Sequence, residues 1–223
     1  YGTLEHNLEP LSDRIDRANE ILTDNGWILN EQTGVREKDK GTQTLQLSFS
    51  LATGDKRDLK FTAESLREAW KKIGVDLVVN IYESGDLNQN IIRPRKYEAL
   101  LFGEIIGREL DLYPFWHSSG RNDPGLNIAL YANITTDDIL ETLRTTLDPK
   151  AKDVLLDEFS SEVAKDRPAV FLYSPQYTYI TRSDIQDIDL DKITLPSERF
   201  IDIHSWYIET NNVWNLFIKP IKN

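Results

Sequence analysis

The chain has 223 residues, a length for one large domain or two small ones, and a formal net charge of -11 from 26 Lys and Arg against 37 Asp and Glu. The acidic excess argues against binding to nucleic acid or to anionic lipid surfaces, because both need a basic contact face. The absence of Cys excludes thiol catalysis, disulfides and thiolate metal sites.

The first part of the chain predicts a short helix and a polar hairpin. Residues 1–12 have no apolar period and are expected to be a linker or an incoming strand. Ser12 or Asp13 is suited to cap a helix that ends at Gly26, and residues 27–41 are typical of a turn-rich hairpin or loop. The chain has no Met, even at position 1, and no visible signal peptide, so we expect it to begin inside a longer gene product.

Residues 45 to 103 alternate between strand-like and helix-like patterns. Apolar residues at every second position indicate strands, and apolar residues three or four apart indicate helices. The predicted segments are strands at 45–51, 75–82 and 97–103 and helices at 59–73 and 84–92. The last of these strands is nearly all apolar, which is typical of a strand covered on both faces. The order predicts right-handed crossovers and a largely parallel sheet.

The end of the chain predicts two helices, two short strands and a tail. One helix opens at Thr136, and the next opens at Asp148, which is placed to cap it with Pro149 in the first turn. Short strands are predicted at 169–173 and 177–181, before a tail of alternating acidic and apolar residues. The second helix has a predicted inner stripe of Val154, Leu155, Phe159, Val163 and Ala164.

A stretch of about thirty residues, 104–135, has no apolar period and is far longer than an ordinary connection. It is rich in aromatic residues and follows a predicted central strand, the position where α/β proteins place ligands. Tyr113, Phe115, Trp116 and Tyr131 could be core or pocket lining, and their irregular spacing in a loop favours pocket lining. A surface loop that packs on itself is the alternative interpretation.

Three carboxylates, Glu104, Glu109 and Asp111, share this stretch. Two of them could act as general acid and base on a glycosidic bond, which keeps a hydrolase as an alternative function. They could also attract a cationic group such as a substrate amine, or form a solvated face of an acidic protein. The sequence does not fix their separation, so these interpretations stay open.

Nucleophile and metal chemistry has little support in the sequence. His6, His117 and His204 are far apart along the chain and predict no metal site. His117 and Ser118 are neighbours, but adjacent side chains of an extended chain point to opposite sides, which disfavours a Ser–His nucleophile pair. No cofactor-binding motif is present.

Short motifs follow one another in a defined order along the chain. They are Ala18–Trp27, Leu66–Val75, Tyr97–Gly103, Asp111–Ser119, Gly125–Asn127, Tyr131–Asn133, Thr136–Leu140 and Asp166–Tyr173. Their order and spacing over residues 13–180 resemble the C-terminal half of extracellular solute-binding proteins of the peptide/nickel type (family 5), which feed ABC importers.

The resemblance implies an α/β fold, specifically a periplasmic-binding-protein-like (type II) lobe with a mixed, mainly parallel sheet flanked by helices. It implies a linker or hinge strand from a missing first lobe at 1–12 and a C-terminal ligand-binding lobe at 13–182. The tail at 183–223 is expected to return toward the first lobe. Family members are longer than this chain and consist of two lobes that close over a cleft.

The resemblance also implies a function that is not enzymatic. The chain would be part of the substrate-binding component of an ABC importer, which captures peptides or similar small solutes by hinge closure and delivers them to the permease. Such a protein would be a monomer outside the cytoplasm, lipid-anchored through the missing N-terminus. A hydrolase that uses the loop carboxylates and a peptide-binding signalling or chaperone module remain alternatives.

The ligand site that the resemblance implies departs from the family in one respect. Peptide-binding relatives pair an Asp, in the loop after the strand at 97–103, with the ligand's α-amino group, and the matching position here falls near Ile106. Glu104 or Asp111 could substitute for it, or the ligand lacks a free amine. The expected ligand-binding residues are Glu104, Asp111, Tyr113, Trp116, His117, Ser118, Ser119, Asn127 and Tyr131, with no cofactor or metal.

Overall fold

A computed structural model of the chain describes residues 9–107, 110–175, 177–189 and 193–209. It divides into two compact units. Unit 1 contains the described parts of Tyr1–Glu104 and Tyr113–Pro168, and unit 2 contains those of Ile105–Leu112 and Ala169–Asn223. The domain boundaries predicted at residues 12 and 182 differ from the limits of these units and remain predictions.

Unit 1 is built on a three-stranded parallel sheet. Its strands are β4 (Ser48–Gly54), β5 (Asp76–Tyr82) and β6 (Ala99–Leu101), in the spatial order β5-β4-β6. Both pairs are parallel, with Leu51 opposite Val79 on one side and opposite Ala99 on the other. The predicted parallel sheet is confirmed, although β6 is shorter than the expected 97–103 and its residues are half-buried instead of fully covered.

Helix α2 (Arg57–Lys71) covers one face of this sheet, as its apolar period predicts. Ala63 has no exposed surface and packs with the buried Leu51 and Leu77. Phe49 and Trp70 lie against this cluster with ring centroids 5.4 Å apart. Small Ala63 lets the helix approach the sheet closely, so the larger side chains fill the space around the contact.

A helix and a small antiparallel sheet precede the parallel sheet. Helix α1 spans Leu11–Asp24, and the strands β1 (Ile28–Leu29), β2 (Arg36–Lys40) and β3 (Gln43–Gln46) pair in sequence order. The predicted hairpin is thereby confirmed. The predicted N-cap is wrong, because Pro10 occupies that position and no side chain caps the helix.

The strand predicted at 45–51 is divided at Leu47 into β3 and β4. The Leu47 N–H donates to the carbonyl of Arg36 (2.7 Å), whereas its own carbonyl accepts from the N–H of Asp76 (3.0 Å). The backbone thus changes partner from β2 to β5 at this residue. Alternation in the sequence is the same on both sides of the break, so the pattern alone predicts one strand.

Three further helices of unit 1 pack beside the sheet or follow it. Helix α3 (Ser84–Asp86) continues as a π-helix over Leu87–Ile92. Helix α5 (Ile134–Thr145) begins two residues before the predicted start because Asn133 caps it, accepting from the N–H of Thr136 (3.2 Å). A short helix, α4, lies between them at Tyr113–Trp116.

Helix α6 (Pro149–Asp166) begins as predicted. Asp148 accepts from the N–H of Ala151 (3.2 Å). Its buried stripe is narrower than expected, because Phe159 and Val163 are buried while Val154 is 57% exposed and Ala164 is exposed. No helix within the described ranges is both long and apolar enough to cross a membrane.

Unit 2 contains little regular structure in its described residues. A two-stranded antiparallel ladder joins β7 (Ile185–Gln186) to β8 (Tyr207–Ile208), with a 3-10 turn at Pro196–Phe200. The strands predicted at 169–173 and 177–181 are wrong, since the chain there forms no ladder. Apolar residues at nearly every position are not enough to form a strand, because a strand also needs a neighbouring strand to pair with.

Candidate functional site

The loop after β6 contains every predicted site residue. Seven of them lie in unit 1 within one coiled segment, Tyr113–Tyr131, which holds α4 and a 3-10 turn at Ser118–Gly120. Glu104 also belongs to unit 1, whereas Asp111 belongs to unit 2. The predicted region is therefore a structured loop, which we call the site loop (residues 113–131).

Asn127 holds the site loop together from inside. Its side chain has no exposed surface, and its Nδ2 donates to the carbonyls of Trp116 (3.2 Å), His117 (3.1 Å) and Tyr131 (2.9 Å). Its Oδ1 accepts from the N–H of Tyr131 (3.1 Å). A buried amide with all of its contacts inside the loop fixes the backbone there, a role different from the predicted contact with ligand.

The aromatic residues Trp116 and Tyr131 also face inward. Trp116 is 5% exposed and packs edge-on against Tyr131 and Phe159, with ring centroids 6.2 and 5.9 Å away. The Tyr131 hydroxyl donates to Asp166 Oδ2 (2.7 Å) and lies 3.2 Å from Thr136 Oγ1. These contacts attach the loop to α5 and α6, so both rings form core instead of the predicted pocket wall.

His117 is buried against α5, with a hydrogen bond at Nδ1 and two carboxylates near Nε2. Its ring stacks on Tyr113 at a centroid distance of 4.1 Å, and Nδ1 accepts from the N–H of Ser119 (3.1 Å). That acceptor role places the remaining ring proton on Nε2, which lies 3.5 Å from Glu141 and 3.9 Å from Asp137. The imidazole thus joins the loop to α5 and does not point at solvent.

Helix α5 supplies charged groups to the loop that the sequence analysis did not select. Asp137 accepts from the N–H (2.9 Å) and hydroxyl (2.5 Å) of Ser118, and the guanidinium of Arg144 lies 4.4 Å from the Tyr113 ring centroid. Asp137, Glu141 and Arg144 are spaced by four and three residues, which places them on one helix face. This spacing was the sequence signal that could have indicated a charged helix face beside the loop. In the sequence analysis, the helix start is considered only as the beginning of a helix.

Ser119, His117 and Glu141 form a sequence of contacts that superficially matches a nucleophile, base and acid. Ser119 Oγ lies 2.7 Å from His117 Nδ1. The same nitrogen already accepts the Ser119 backbone N–H, and the 3.5 Å between Nε2 and Glu141 is long for a hydrogen bond. The arrangement is a cap on the 3-10 turn, in which the His117 side chain accepts from the N–H of Ser119.

Glu104 is the titratable group with the largest perturbation near the loop. The residue is exposed as a whole, but protein around its carboxyl excludes enough water to raise its pKa to about 7. The pKa of Tyr97 is raised chiefly by burial and further by the charge of Glu104, and the Tyr97 hydroxyl donates to the carbonyl of Ile128 (2.6 Å). Glu104 therefore lies close to the residue that contacts the site loop at Ile128.

The predicted carboxylate pairs stay predictions. Glu104 and Asp111 belong to different units, and Glu109 lies outside the described residues. Within the described ranges, no three His, Asp or Glu side chains converge as a metal site would require. Among the predicted site residues of the loop, Ser119 is exposed and Tyr113 and Ser118 are half-buried.

Comparison with known proteins gives a consistent result. No family model matches the chain. The oligopeptide-binding protein AppA of Bacillus subtilis is 25% identical over 186 residues, which cover 78% of this chain and 33% of AppA. The AppA structure solved with a nonapeptide has a TM-score of 0.67 at 23% identity, covering 87% of this chain and 37% of that one.

A second solved structure shares the fold. NikZ from Campylobacter jejuni, solved in complex with Ni(L-His), has a TM-score of 0.64 at 19% identity, covering 86% of this chain and 38% of that one. The chain therefore spans about a third of the length of the curated relative AppA. Its fold is that of periplasmic-binding-protein-like solute-binding proteins. Over most of its own length, the chain is thus similar in sequence to part of the oligopeptide-binding protein AppA and similar in fold to parts of the solved AppA and NikZ structures.

Proposed function

We propose that this chain is the C-terminal lobe of the substrate-binding component of an ABC importer, which captures peptides or similar small solutes and delivers them to the permease. The likeness to AppA over most of the chain carries the proposal. AppA is named an oligopeptide-binding protein, and its structure holds a nonapeptide, which favours binding over hydrolysis as the function.

The proposed ligand surface is the exposed side of the site loop together with Glu104. Ligands of open α/β sheets bind outside the carboxyl ends of the strands, and Glu104 comes three residues after Leu101, the last residue of β6. Tyr113 would offer an apolar wall, and Ser118 and Ser119 would offer hydroxyls. Asp111, in unit 2, stays a separate prediction, while Trp116, His117, Asn127 and Tyr131 would hold the loop in place.

Glu104 is the proposed contact for a cationic group of the ligand. A cation beside this carboxyl would favour its ionised form, so ligand binding would release a proton from the fraction that is protonated near neutral pH. Affinity for a cationic peptide would therefore rise from pH 6 to pH 8. A peptide with an acetylated N-terminus and no Lys, Arg or His would show no such rise.

Capture would use closure of two lobes over the ligand, with each lobe supplying part of the contacts. The ligand stabilises the closed state because it touches both lobes only there. We extend the proposal to a monomeric protein held outside the cytoplasm by a lipid anchor. Membrane fractionation and the mass of the full-length protein in solution test these two points.

Calorimetry with a nonapeptide pool tests the function. We expect the full-length protein to bind the pool and this chain alone to bind it weakly, because half of the contacts would be missing. Equal, tight affinity in both would contradict the division of the site between two lobes. No heat with the full-length protein, using peptide pools of two to nine residues, would contradict peptide capture itself.

A further inference from the structure

Two side chains of the turn that precedes β6 contact the far part of the site loop. Arg95 donates through Nε to the carbonyl of Arg121 (3.0 Å) and through Nη2 to the carbonyl of Gly125 (2.7 Å). Tyr97 donates its hydroxyl to the carbonyl of Ile128 (2.6 Å). Three backbone carbonyls of the loop, four and three residues apart, are thus fixed by one short turn.

Arg95 itself adopts a backbone conformation that favours glycine. Its φ is 58°, and its Nη1 donates to the carbonyl of Ile92 (2.8 Å), the last residue of the π-helix. A left-handed conformation at a long side chain is unfavourable and persists where the surroundings hold it. The guanidinium, which bonds three carbonyls at once, supplies that hold, and its planar fork is suited to the task.

Arg93, two residues earlier, makes a weaker attachment. Its Nε and Nη2 donate to the two carboxylate oxygens of Asp123 at 2.9 and 3.0 Å, but both side chains are about half exposed. Exposed ion pairs contribute little because water competes for both partners. The half-buried Arg95, which bonds neutral carbonyls, is therefore the main attachment of the loop to this turn.

The attachment continues to the residues proposed to face the ligand. Between the carbonyls bonded by Arg95 and Tyr97 lies Asn127, whose amide fixes the backbone at Trp116 and His117. A backbone hydrogen bond also joins the two parts of the loop, because the N–H of Asn127 donates to the carbonyl of Gly120 (3.1 Å). Displacement of residues 121–128 would thus move the turn that carries Ser118 and Ser119.

We propose that Arg95 is a positioning residue that holds the site loop in its ligand-binding conformation. This inference rests on the proposed function for its link to affinity, and on geometry alone for its effect on the loop. Arg95 touches no ligand in this scheme and acts through the carbonyls of Arg121 and Gly125.

The test compares Arg95→Met with Lys96→Met. Lys96 lies in the same turn, is exposed, and carries the same charge, so its replacement controls for charge loss. In Arg95→Met we expect amide hydrogen exchange at Asn127 and Tyr131 to accelerate about tenfold or more, the effect of losing one charged hydrogen bond. Exchange in β4 and β5 should stay as in the wild type.

Affinity gives the second readout. For the full-length protein and a nonapeptide pool, we expect Arg95→Met to weaken binding about tenfold, mainly through faster dissociation, while Lys96→Met stays within about twofold. Arg95→Lys, which keeps the charge and one donor group, should lie between wild type and Arg95→Met. If Arg95→Met does not fold, the exchange rates and affinity of Arg95→Lys test the inference instead.

The inference is overturned if amide exchange at Asn127 and Tyr131 is unchanged in Arg95→Met. If Arg95→Met does not fold, unchanged exchange in Arg95→Lys overturns it. So does accelerated exchange with unchanged affinity, because the loop would then move without consequence for the ligand. If the wild-type protein binds no peptide, the proposed function fails, and the exchange data still decide whether Arg95 fixes the loop.

Discussion

Gly74 and Arg36 lie so close together that a single methyl group on Gly74 would overlap the Arg36 side chain. A Cβ on Gly74 would lie 2.7 Å from Arg36 Cγ and 2.8 Å from Leu29 Cδ1, and the φ of Gly74 is +79°. The Gly74 carbonyl also accepts from the backbone N–H of Arg36 (2.8 Å). Residue 74 must therefore be glycine for two reasons, conformation and space.

We expect Gly74→Ala to lower the free energy of unfolding by about 2 to 4 kcal/mol, the combined effect of a left-handed alanine and an overpacked contact. Urea unfolding followed by far-UV circular dichroism measures it. Gly34→Ala is the matched control, because Gly34 has φ +72° and a Cβ there would meet no atom within 4 Å. An equal loss in the two variants would contradict the close contact with Arg36.

Arg36 explains why this contact matters for the whole of unit 1. It is 5% exposed, and its guanidinium donates to the carbonyl of Ile73 (2.9 Å) and to the hydroxyl of Thr23 (3.1 Å). Nη2 donates to Asn19 Oδ1 (3.0 Å). One buried cation therefore joins α1, β2 and the end of α2. Nothing in the local sequence marks Arg36 as buried, because its side-chain partners lie 9 to 37 residues away.

A second prediction concerns the inner hydrogen bonds of the site loop. Asn127→Asp keeps the size of the side chain but replaces a donor by an oxygen facing the carbonyls of Trp116, His117 and Tyr131. We expect a loss of about 3 kcal/mol or more in unfolding free energy, since removal of a buried donor leaves acceptors unsatisfied and adds a buried charge. Urea unfolding at pH 7 measures it.

The loss in Asn127→Asp should shrink at low pH, because a protonated carboxyl regains one donor. Asn122→Asp is the control, since Asn122 is exposed in the same loop. We expect its effect to stay within about 0.5 kcal/mol. A loss in Asn127→Asp no larger than this would show that the amide is not the hub of the loop.

How much of this fold could be predicted depends on how local its causes are. The helix over α2 and the strand β5 follow from apolar periods inside one segment, and the cap at Asp148 follows from a Pro at the next position. The break at Leu47 could not be predicted, because its cause is a change of partner from Arg36 to Asp76. The same holds for the segment 169–173, where a strand-like pattern finds no pairing partner in the described residues.

The site shows the same limit. The sequence predicts one long loop for the functional candidates, because the absence of a period is a local property, and their role in binding stays a prediction. It does not tell which side chains of that loop face inward, because this depends on α5 and α6. Trp116 is buried by Phe159, and His117 by the charged face that carries Asp137 and Glu141.

A third prediction uses the pKa of Glu104, which is about 7 in the folded chain, against 4.5 as the ordinary value. The folded state thus holds a proton on Glu104 where the unfolded state has lost it. The contribution of this group to stability is fully present below about pH 4.5 and is lost as the pH rises through 7. Gln does not ionise, so the stability of Glu104→Gln should not fall in this way. The variant should therefore gain stability relative to wild type between pH 5 and pH 8.

Glu98 provides a control of opposite sign. Its carboxylate accepts from the hydroxyl (2.7 Å) and N–H (2.8 Å) of Ser50, and these bonds lower its pKa. Glu98→Gln should therefore lose stability relative to wild type at neutral pH, and the difference should shrink as the pH falls from the ordinary pKa of Glu through the lowered pKa of the folded state. Urea midpoints from about pH 2 to pH 8 measure both variants. Parallel curves for Glu104→Gln and wild type would contradict the raised pKa.

The last prediction concerns the Tyr131 hydroxyl, which joins the site loop to both following helices. Tyr131→Phe keeps the ring against Trp116 but leaves Thr136 Oγ1, which is fully buried, without that partner. We expect a loss of about 1 to 3 kcal/mol in unfolding free energy. The pKa of Asp166, lowered chiefly by the hydrogen bond from Tyr131, should rise toward its ordinary value, which carboxyl carbon shifts in an NMR titration would detect.

The control is Tyr207→Phe, because Tyr207 is 52% exposed and loss of its hydroxyl should leave the pKa of Asp166 unaffected. An Asp166 titration identical in wild type and Tyr131→Phe would mean that the bond between loop and α6 does not exist in solution.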